Sequence, residues 1–156
     1  MKSTLEPPGC SIEWLQLNDV PLFYDTIEPN FKSKGGLLRE RSLEEIIRDI
    51  QQYFVVRVEE IIVGAFQLQE SLTEERFLEL WAFVVCSTQK EERKKVKEEI
   101  IDFSLIQAKE KVLQLISLST HPSLRNLYEK KGALKSDLWT FPLRESISPN
   151  VPLYVF

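Results

Sequence analysis

The alternation of apolar and polar residues changes its period several times along this chain, and each change marks an element. Ile12-Glu13-Trp14-Leu15 alternates as a strand does. Asn18 or Asp19 is placed to cap a helix running towards Phe31, and Lys34-Gly35-Gly36 reads as a loop. Ser42 followed by Glu45 is a capping box, and the helix it opens carries Leu43, Ile46, Ile47 and Ile50 on one face. Residues 54–58 then pair through a short Glu59-Glu60 turn with residues 61–68. A polar loop from Glu70 to Arg76 leads to a third strand, 77–85.

A helix is expected over roughly 96–110, where Val96, Ile100, Ile101, Phe103 and Ala108 recur near helical spacing. The stretch before it, Gln89-Lys90-Glu91-Glu92-Arg93-Lys94-Lys95-Val96-Lys97, is expected as a glycine-free turn between strand and helix. Residues 112–118 alternate as another strand. Pro122 suits the first position of a short helix that ends at Gly132. Residues 138–143 and 153–156 read as two last strands. The order β-α-α-β-β-β-α-β-α-β-β predicts a mixed α/β sheet with helices on its faces.

Composition adds limits rather than chemistry. A chain of 156 residues, 43% hydrophobic and 28% charged, is the size and make-up of one globular domain. Residues 1–11 read as a Pro-containing extension and 12–156 as the domain. No apolar run reaches the roughly 18 to 20 residues that span a bilayer, and the first residues lack the apolar core of a secretory signal. Two cysteines far apart, Cys10 and Cys86, suit a reduced, cytoplasmic protein. A net charge of −4 argues against nucleic acid or an anionic membrane as partner. One histidine and two distant cysteines do not make the usual zinc spacing, and no G-x-S-x-G motif supports a serine nucleophile.

Three local strings, found in order, resemble the GNAT superfamily of N-acetyltransferases. Phe54-Val55-Val56-Arg57-Val58 with Ile62-Val63-Gly64-Ala65 and Leu68 is similar to its first central hairpin. Leu78-Glu79-Leu80-Trp81-Ala82-Phe83-Val84-Val85 is similar to its central strand. Leu127-Tyr128-Glu129-Lys130-Lys131-Gly132-Ala133 is similar to its "FYEKxGF" string, the most specific of the three. The match covers about residues 12–156. Within the superfamily, Leu38-Arg39-Glu40-Arg41-Ser42 and Leu118-Ser119-Thr120 resemble the N-acetylglutamate synthase branch.

The resemblance implies a mostly antiparallel sheet with a parted middle, acetyl-CoA as cosubstrate, and direct attack by an amine in a ternary complex. In the superfamily, a turn of pattern Gln/Arg-x-x-Gly-x-Gly/Ala cradles the pyrophosphate. Placed by Val96, Ile100 and Ile101, that pattern falls on Glu92-Arg93-Lys94-Lys95-Val96-Lys97, where both glycine positions are lysine. Amide contacts to a charged acceptor contribute about 1.5–3 kcal/mol each. Exposed ion pairs bring only about 0–1 kcal/mol. The cations at 93, 94, 95 and 97 are therefore expected to compensate in part.

The resemblance further implies roles for single residues. Tyr128 would protonate the departing thiolate, although a tyrosine there also packs simply on a sheet. Glu79 would deprotonate the amine, or pair with a lysine. Phe83, Val84 and Val85 would offer backbone groups to the pantetheine arm, with Val96 at the phosphate turn. His121 would lie near the same arm, or occupy the helix cap beside Pro122. Cys86, at the end of that strand, reads as a small apolar residue. Arg39 and Arg41 could recognise a substrate carboxylate, and Trp81 could line the acceptor side. No metal is expected. Three readings stay open: an acetyl-CoA-dependent N-acetyltransferase of a small amine, such as an amino acid; a degenerate domain of the same fold that binds or regulates without catalysis; and a dimerisation unit built on the apolar last strands, a homodimer.

Overall fold

The computed structural model describes residues 10–27, 42–70, 76–118, 122–136 and 153–156. The elements are β1 (Cys10–Trp14), α1 (Val20–Thr26), α2 (Leu43–Arg48), β2 (Tyr53–Val58), β3 (Ile61–Glu70), β4 (Phe77–Val85), α3 (Lys90–Glu110), β5 (Gln114–Leu118), α4 (Pro122–Lys130), β6 (Leu134–Ser136) and β7 (Leu153–Val155). The strands form one sheet in the order β1-β2-β3-β4-β5-β7-β6. Every neighbouring pair is antiparallel except β4 with β5, which run parallel. This is the mixed α/β sheet that the pattern of elements predicts, mostly antiparallel as the resemblance implies.

Strand β2 shows why the inner strands read as continuous apolar runs. Successive side chains point to opposite faces, and both faces are covered. Tyr53 and Val55 pack under α1 and α2 with Phe23, Ile27 and Ile46. Phe54, Val56 and Val58 pack under α3 with Val96, Ile100 and Ala108. Helix α4 joins the second face through Leu127 and Tyr128, which meet Ile101 of α3 and Tyr154 of β7. Full burial of side chains this size is worth about 1.5–3 kcal/mol each.

Strand β4 carries an extra residue. Val84 pairs with Ala65 and Trp81 with Gln67, so three steps on β4 oppose two on β3. This bulge reverses the pleat. Phe77 lies on the α1/α2 face, and beyond the bulge it is Val84 that returns to that face, while Val85 turns to α3.

Several expectations meet the structure at specific atoms. The capping box is present: Glu45 N donates to Ser42 Oγ at 3.2 Å, and Ser42 N donates to Glu45 Oε1 at 3.4 Å. Its helix ends at Arg48, and a 3₁₀ turn, Ile50–Gln52, follows, so the expected apolar face is cut short and only Ile46 is buried within it. Asp19 precedes α1 but makes no cap. Its carboxylate accepts instead from Arg57 Nη2 at 2.7 Å, and Arg57 Nε donates to Glu13 at 3.2 Å. A charged partner on another strand outcompetes the local amide. The described part of that helix ends at Thr26, and its expected continuation to Phe31 lies outside the described residues.

Two corrections concern α3. It begins at Lys90, not near Val96, and Arg93 N donates to Gln89 O at 2.9 Å to close its first turn. Lys90 to Lys95 is an unbroken run of Lys, Glu and Arg, all strong helix formers, and nothing in it stops a helix. Val112, expected to open a strand, instead ends α3 in the left-handed region with φ 56°. Leu113 N bonds Ala108 O at 2.8 Å across it. The same closure ends α4 at Gly132, φ 93°, where Ala133 N bonds Tyr128 O at 2.9 Å. A non-glycine residue in that conformation costs about 1–2 kcal/mol. Strand β6 occupies 134–136, and the expected strand at 138–143 lies outside the described residues.

Candidate functional site

The parallel pairing of β4 with β5 is short. It joins Phe77 to Leu80 with Gln114 to Ser117 and stops there. Beyond Leu80, β4 continues to Val85 with β3 on one side and, among the described residues, no strand on the other. The sheet therefore parts at Leu80 and Ser117, as the resemblance implies.

Tyr128 stands at that point. Helix α4 carries it under the sheet, wholly buried, with its ring against Tyr154 and Phe156. Its hydroxyl is 2.7 Å from Ser117 Oγ, and Ser117 Oγ is 3.1 Å from Leu80 O. A carbonyl only accepts, so the serine proton points to Leu80 O and the Tyr128 hydroxyl donates to Ser117. Burial pushes the Tyr128 phenol above its ordinary value of 10.0, and Ser117, whose hydroxyl can instead donate to the phenolate, opposes that rise. The tyrosine is thus neutral, oriented and at the mouth of the parting.

Glu79 lies one residue before the parting, in register with Gln69 and Ile116 and 2% exposed. Strand alternation from Phe77 directs it to the α1/α2 face. Glu79 and Tyr128 therefore sit on opposite faces of the sheet, close to the same opening.

On the far side of the opening stand Val84 and Val85, in register with Ala65 and Gly64. Gly64 is required there: a Cβ on it would lie 3.0 Å from Val84 O and 3.3 Å from Val96 Cγ1. Its absence lets β3, β4 and the first turns of α3 approach closely. Val96 is buried in this contact, part of the core under β3. Cys86 follows β4 and packs partly buried against the α1/α2 core.

The loop from β4 to α3 is only residues 86–89. Ser87 organises it. Its hydroxyl donates to Glu92 Oε1 at 2.6 Å and accepts from Gln89 N at 3.2 Å, while Arg93 Nη1 donates to Ser87 O at 3.2 Å. Glu91 and Glu92 place negative charge in the first turn, where the helix dipole is positive. Because the helix starts at Lys90, the backbone at Arg93, Lys94, Lys95, Val96 and Lys97 is helical and does not form a phosphate-cradling turn. What the cations at 93, 94, 95 and 97 retain is side-chain charge: Lys94 is exposed, and Arg93, Lys95 and Lys97 are partly buried.

The structure thus brings together Tyr128, Glu79, Val84 and Val85 at the parting, and sets the cations one helix start away. Trp81 and Phe83 belong to β4, but their side chains, with His121, Arg39 and Arg41, lie outside the described residues. Three functional candidates escaped the sequence reading: Ser117, Ser87 and Glu92 as a loop partner. Ser117 interrupts an apolar strand on the side chain positions shared with Leu115, which is the signal that could have found it. Among the described residues, no helix is long and apolar enough to cross a membrane.

No family model and no curated protein matches the chain. Solved structures do. An N-acetylglutamate synthase from Neisseria gonorrhoeae, complexed with coenzyme A and N-acetyl-glutamate, superposes with a TM-score of 0.72 at 19% identity, over 96% of this chain and 35% of that one. An acetyltransferase of the GNAT family from Staphylococcus aureus Mu50 gives 0.71 at 16% identity, over 94% and 98%. The PaiA N-acetyltransferase from Thermoplasma acidophilum, in complex with coenzyme A, gives 0.58 at 14%, over 94% and 98%. The chain spans about a third of the length of the N-acetylglutamate synthase it matches. It has the fold of the GNAT acetyltransferases.

Proposed function

We propose that this chain is an acyl-CoA-dependent N-acyltransferase that transfers an acetyl group to a small amine. The observation that carries the reading is the buried Tyr128 hydroxyl, held at 2.7 Å by Ser117 where β4 and β5 part. A neutral phenol fixed there is placed to protonate a leaving thiolate, and an extended pantetheine arm would lie where the strands part. The arm would run along the backbone of Phe83, Val84 and Val85, with His121 near it.

In the chemistry proposed, the amine nitrogen attacks the thioester carbonyl. The C–N bond forms, the C–S bond breaks, and the Tyr128 proton passes to sulfur. Glu79, on the other face, takes the proton from the amine, and Trp81 lines the acceptor side. Most of the rate gain then comes from positioning. An amino acid is the acceptor class we favour, with Arg39 and Arg41 receiving its carboxylate. The N-acetyl-glutamate complex of the gonococcal synthase gives that choice its support. A reducing, cytoplasmic setting suits the two free cysteines, Cys10 and Cys86.

The diphosphate end fits less well. With the backbone of 93–97 helical and Glu92 on Ser87, phosphate would be held by the side chains of Arg93, Lys94, Lys95 and Lys97 rather than by amides. That observation favours a second reading, a domain of this fold that binds a ligand in the parted sheet without turnover. Calorimetric titration with acetyl-CoA, followed by thiol release across a panel of amines and amino acids, separates the two. Heat together with thiol release supports the acyltransferase. Heat without release supports the binding module, and no heat at millimolar acetyl-CoA sinks the acyltransferase.

A further inference from the structure

We propose that Ser117 is the positioning residue for the Tyr128 hydroxyl: it holds the phenol at the parting of β4 and β5, and turns its own proton onto the phenol oxygen when the tyrosine proton leaves. The proposal rests on the acyltransferase reading for its catalytic consequence, but its electrostatic part stands on the hydroxyl geometry alone.

Three features lead to it. Ser117 is 1% exposed and Tyr128 wholly buried, so neither hydroxyl exchanges its partner for bulk water. Ser117 donates to Leu80 O at 3.1 Å and accepts from Tyr128 at 2.7 Å, at the last rung where β4 and β5 pair. The aromatic neighbours of the Tyr128 ring, Tyr154 and Phe156, meet it in T-shaped contacts. Ser117 is therefore the hydroxyl, among the described residues, that can follow a charge change on the phenol.

Such a change is demanding here. An alkyl thiol ionises near about 8.5, whereas burial sets the phenol above 10.0. Proton transfer from Tyr128 to a thiolate runs uphill unless the phenolate is met by a donor. In the step proposed, the Tyr128 O–H bond breaks and an S–H bond forms. The Ser117 O–H then rotates from Leu80 O to the phenolate oxygen, and once the products leave, the proton taken up by Glu79 is released and an equivalent one returns to Tyr128 through the vacated opening. A rotating hydroxyl suits this task because it accepts from the phenol and donates to the phenolate without moving its heavy atoms.

The test uses Ser117→Ala, Ser117→Thr and Ser117→Cys, alone and with Tyr128→Phe, in the full chain. Ser117→Ala is expected to lower kcat about 10- to 100-fold while the KM for acetyl-CoA stays within about twofold. Ser117→Thr should recover most of the loss. Ser117→Cys, which fills the volume with a weak donor, should behave like Ser117→Ala and carries the test if that variant does not fold. The loss should vanish in the Tyr128→Phe background. A second readout needs no turnover: a fluorinated tyrosine at position 128 brings the phenol into a range where the folded chain can be titrated by ultraviolet difference. Its ionisation should move upward by about one unit in Ser117→Ala. An unmoved ionisation, an unchanged kcat, or losses that multiply with Tyr128→Phe would overturn the proposal. A wild type that turns over no amine overturns the acyltransferase reading instead, and the titration alone then decides the role of Ser117.

Discussion

The two ends of the candidate acyl-CoA site are built by different means. At the thiol end, the contacts are long-range: Ser117 of β5, Leu80 of β4 and Tyr128 of α4 meet through two hydrogen bonds under a covered sheet. At the phosphate end they are short-range, and the loop closes on itself, with Ser87 bonded to Glu92 and Arg93 a few residues on. The first arrangement leaves an opening where the strands part. The second directs a carboxylate to the place where an anion would bind. The difference teaches that a fold can keep the geometry of one half of a site while local sequence rebuilds the other.

The largest effect expected from this contrast is on turnover. Tyr128→Phe should lower kcat by about 100-fold or more and leave acetyl-CoA affinity within about threefold, because in the step proposed the phenol acts on the leaving sulfur. Steady-state kinetics beside calorimetry checks the split. An equal loss in both would place Tyr128 in ligand binding rather than proton transfer.

At the other end, Glu92→Gln removes one negative charge and weakens the grip on Ser87. Acetyl-CoA should then bind about 5- to 10-fold more tightly, on the order of 1 kcal/mol. Lys94→Ala should weaken it about two- to fivefold, and the effect should fade in high salt, since Lys94 is exposed. If Glu92→Gln weakens binding, the carboxylate is supporting the site and the contrast fails.

Alkaline pH probes the thiol end through stability. The folded-state value of Tyr128 is raised, so the folded chain holds its proton where the unfolded chain releases it. Its stabilising contribution is complete below the ordinary value of 10.0 and is lost as pH rises from there towards the folded-state value. Urea midpoints of the wild type should fall above pH 10 more steeply than those of Tyr128→Phe, by up to about 1.4 kcal/mol per pH unit.

The smallest effect is a control that should leave both ends alone. Val112→Gly relieves a left-handed valine at the end of α3 and should raise stability by about 1 kcal/mol, with kcat and Kd unchanged. Gly132→Ala, at the matching position after α4, should cost a similar amount.

The same contrast explains what could be read from the residues. Apolar runs bounded by Glu59-Glu60 and by the polar 70–76 loop mark β2, β3 and β4, and the Ser42–Glu45 box marks α2, because each signal is local. The start of α3 lies at Lys90 rather than after a family turn over Glu92 to Lys97, because Lys90 to Lys95 contains only helix formers. Val112 fits the alternation of residues 112–118, but its position is set by how the preceding helix ends. Asp19 looked like a cap, but Arg57 on a distant strand claimed it. Ser117 drew no notice at all, since its meaning comes from α4 crossing beneath β5, a contact between residues 11 apart in sequence that no spacing rule foresees. Tyr128 is marked in the sequence by the family string alone, and its burial beside Ser117 comes from the fold.

The central claim is that the parted sheet holds the ligand and the start of α3 adds little. It is tested most directly by titrating the chain with acetyl-CoA and, separately, with acetyl-pantetheine, which has the thioester arm without the nucleotide and its phosphates. The account predicts dissociation constants within about tenfold of each other, a difference of about 1.4 kcal/mol. A preference for acetyl-CoA of a hundredfold or more, or no heat with either compound, would contradict it.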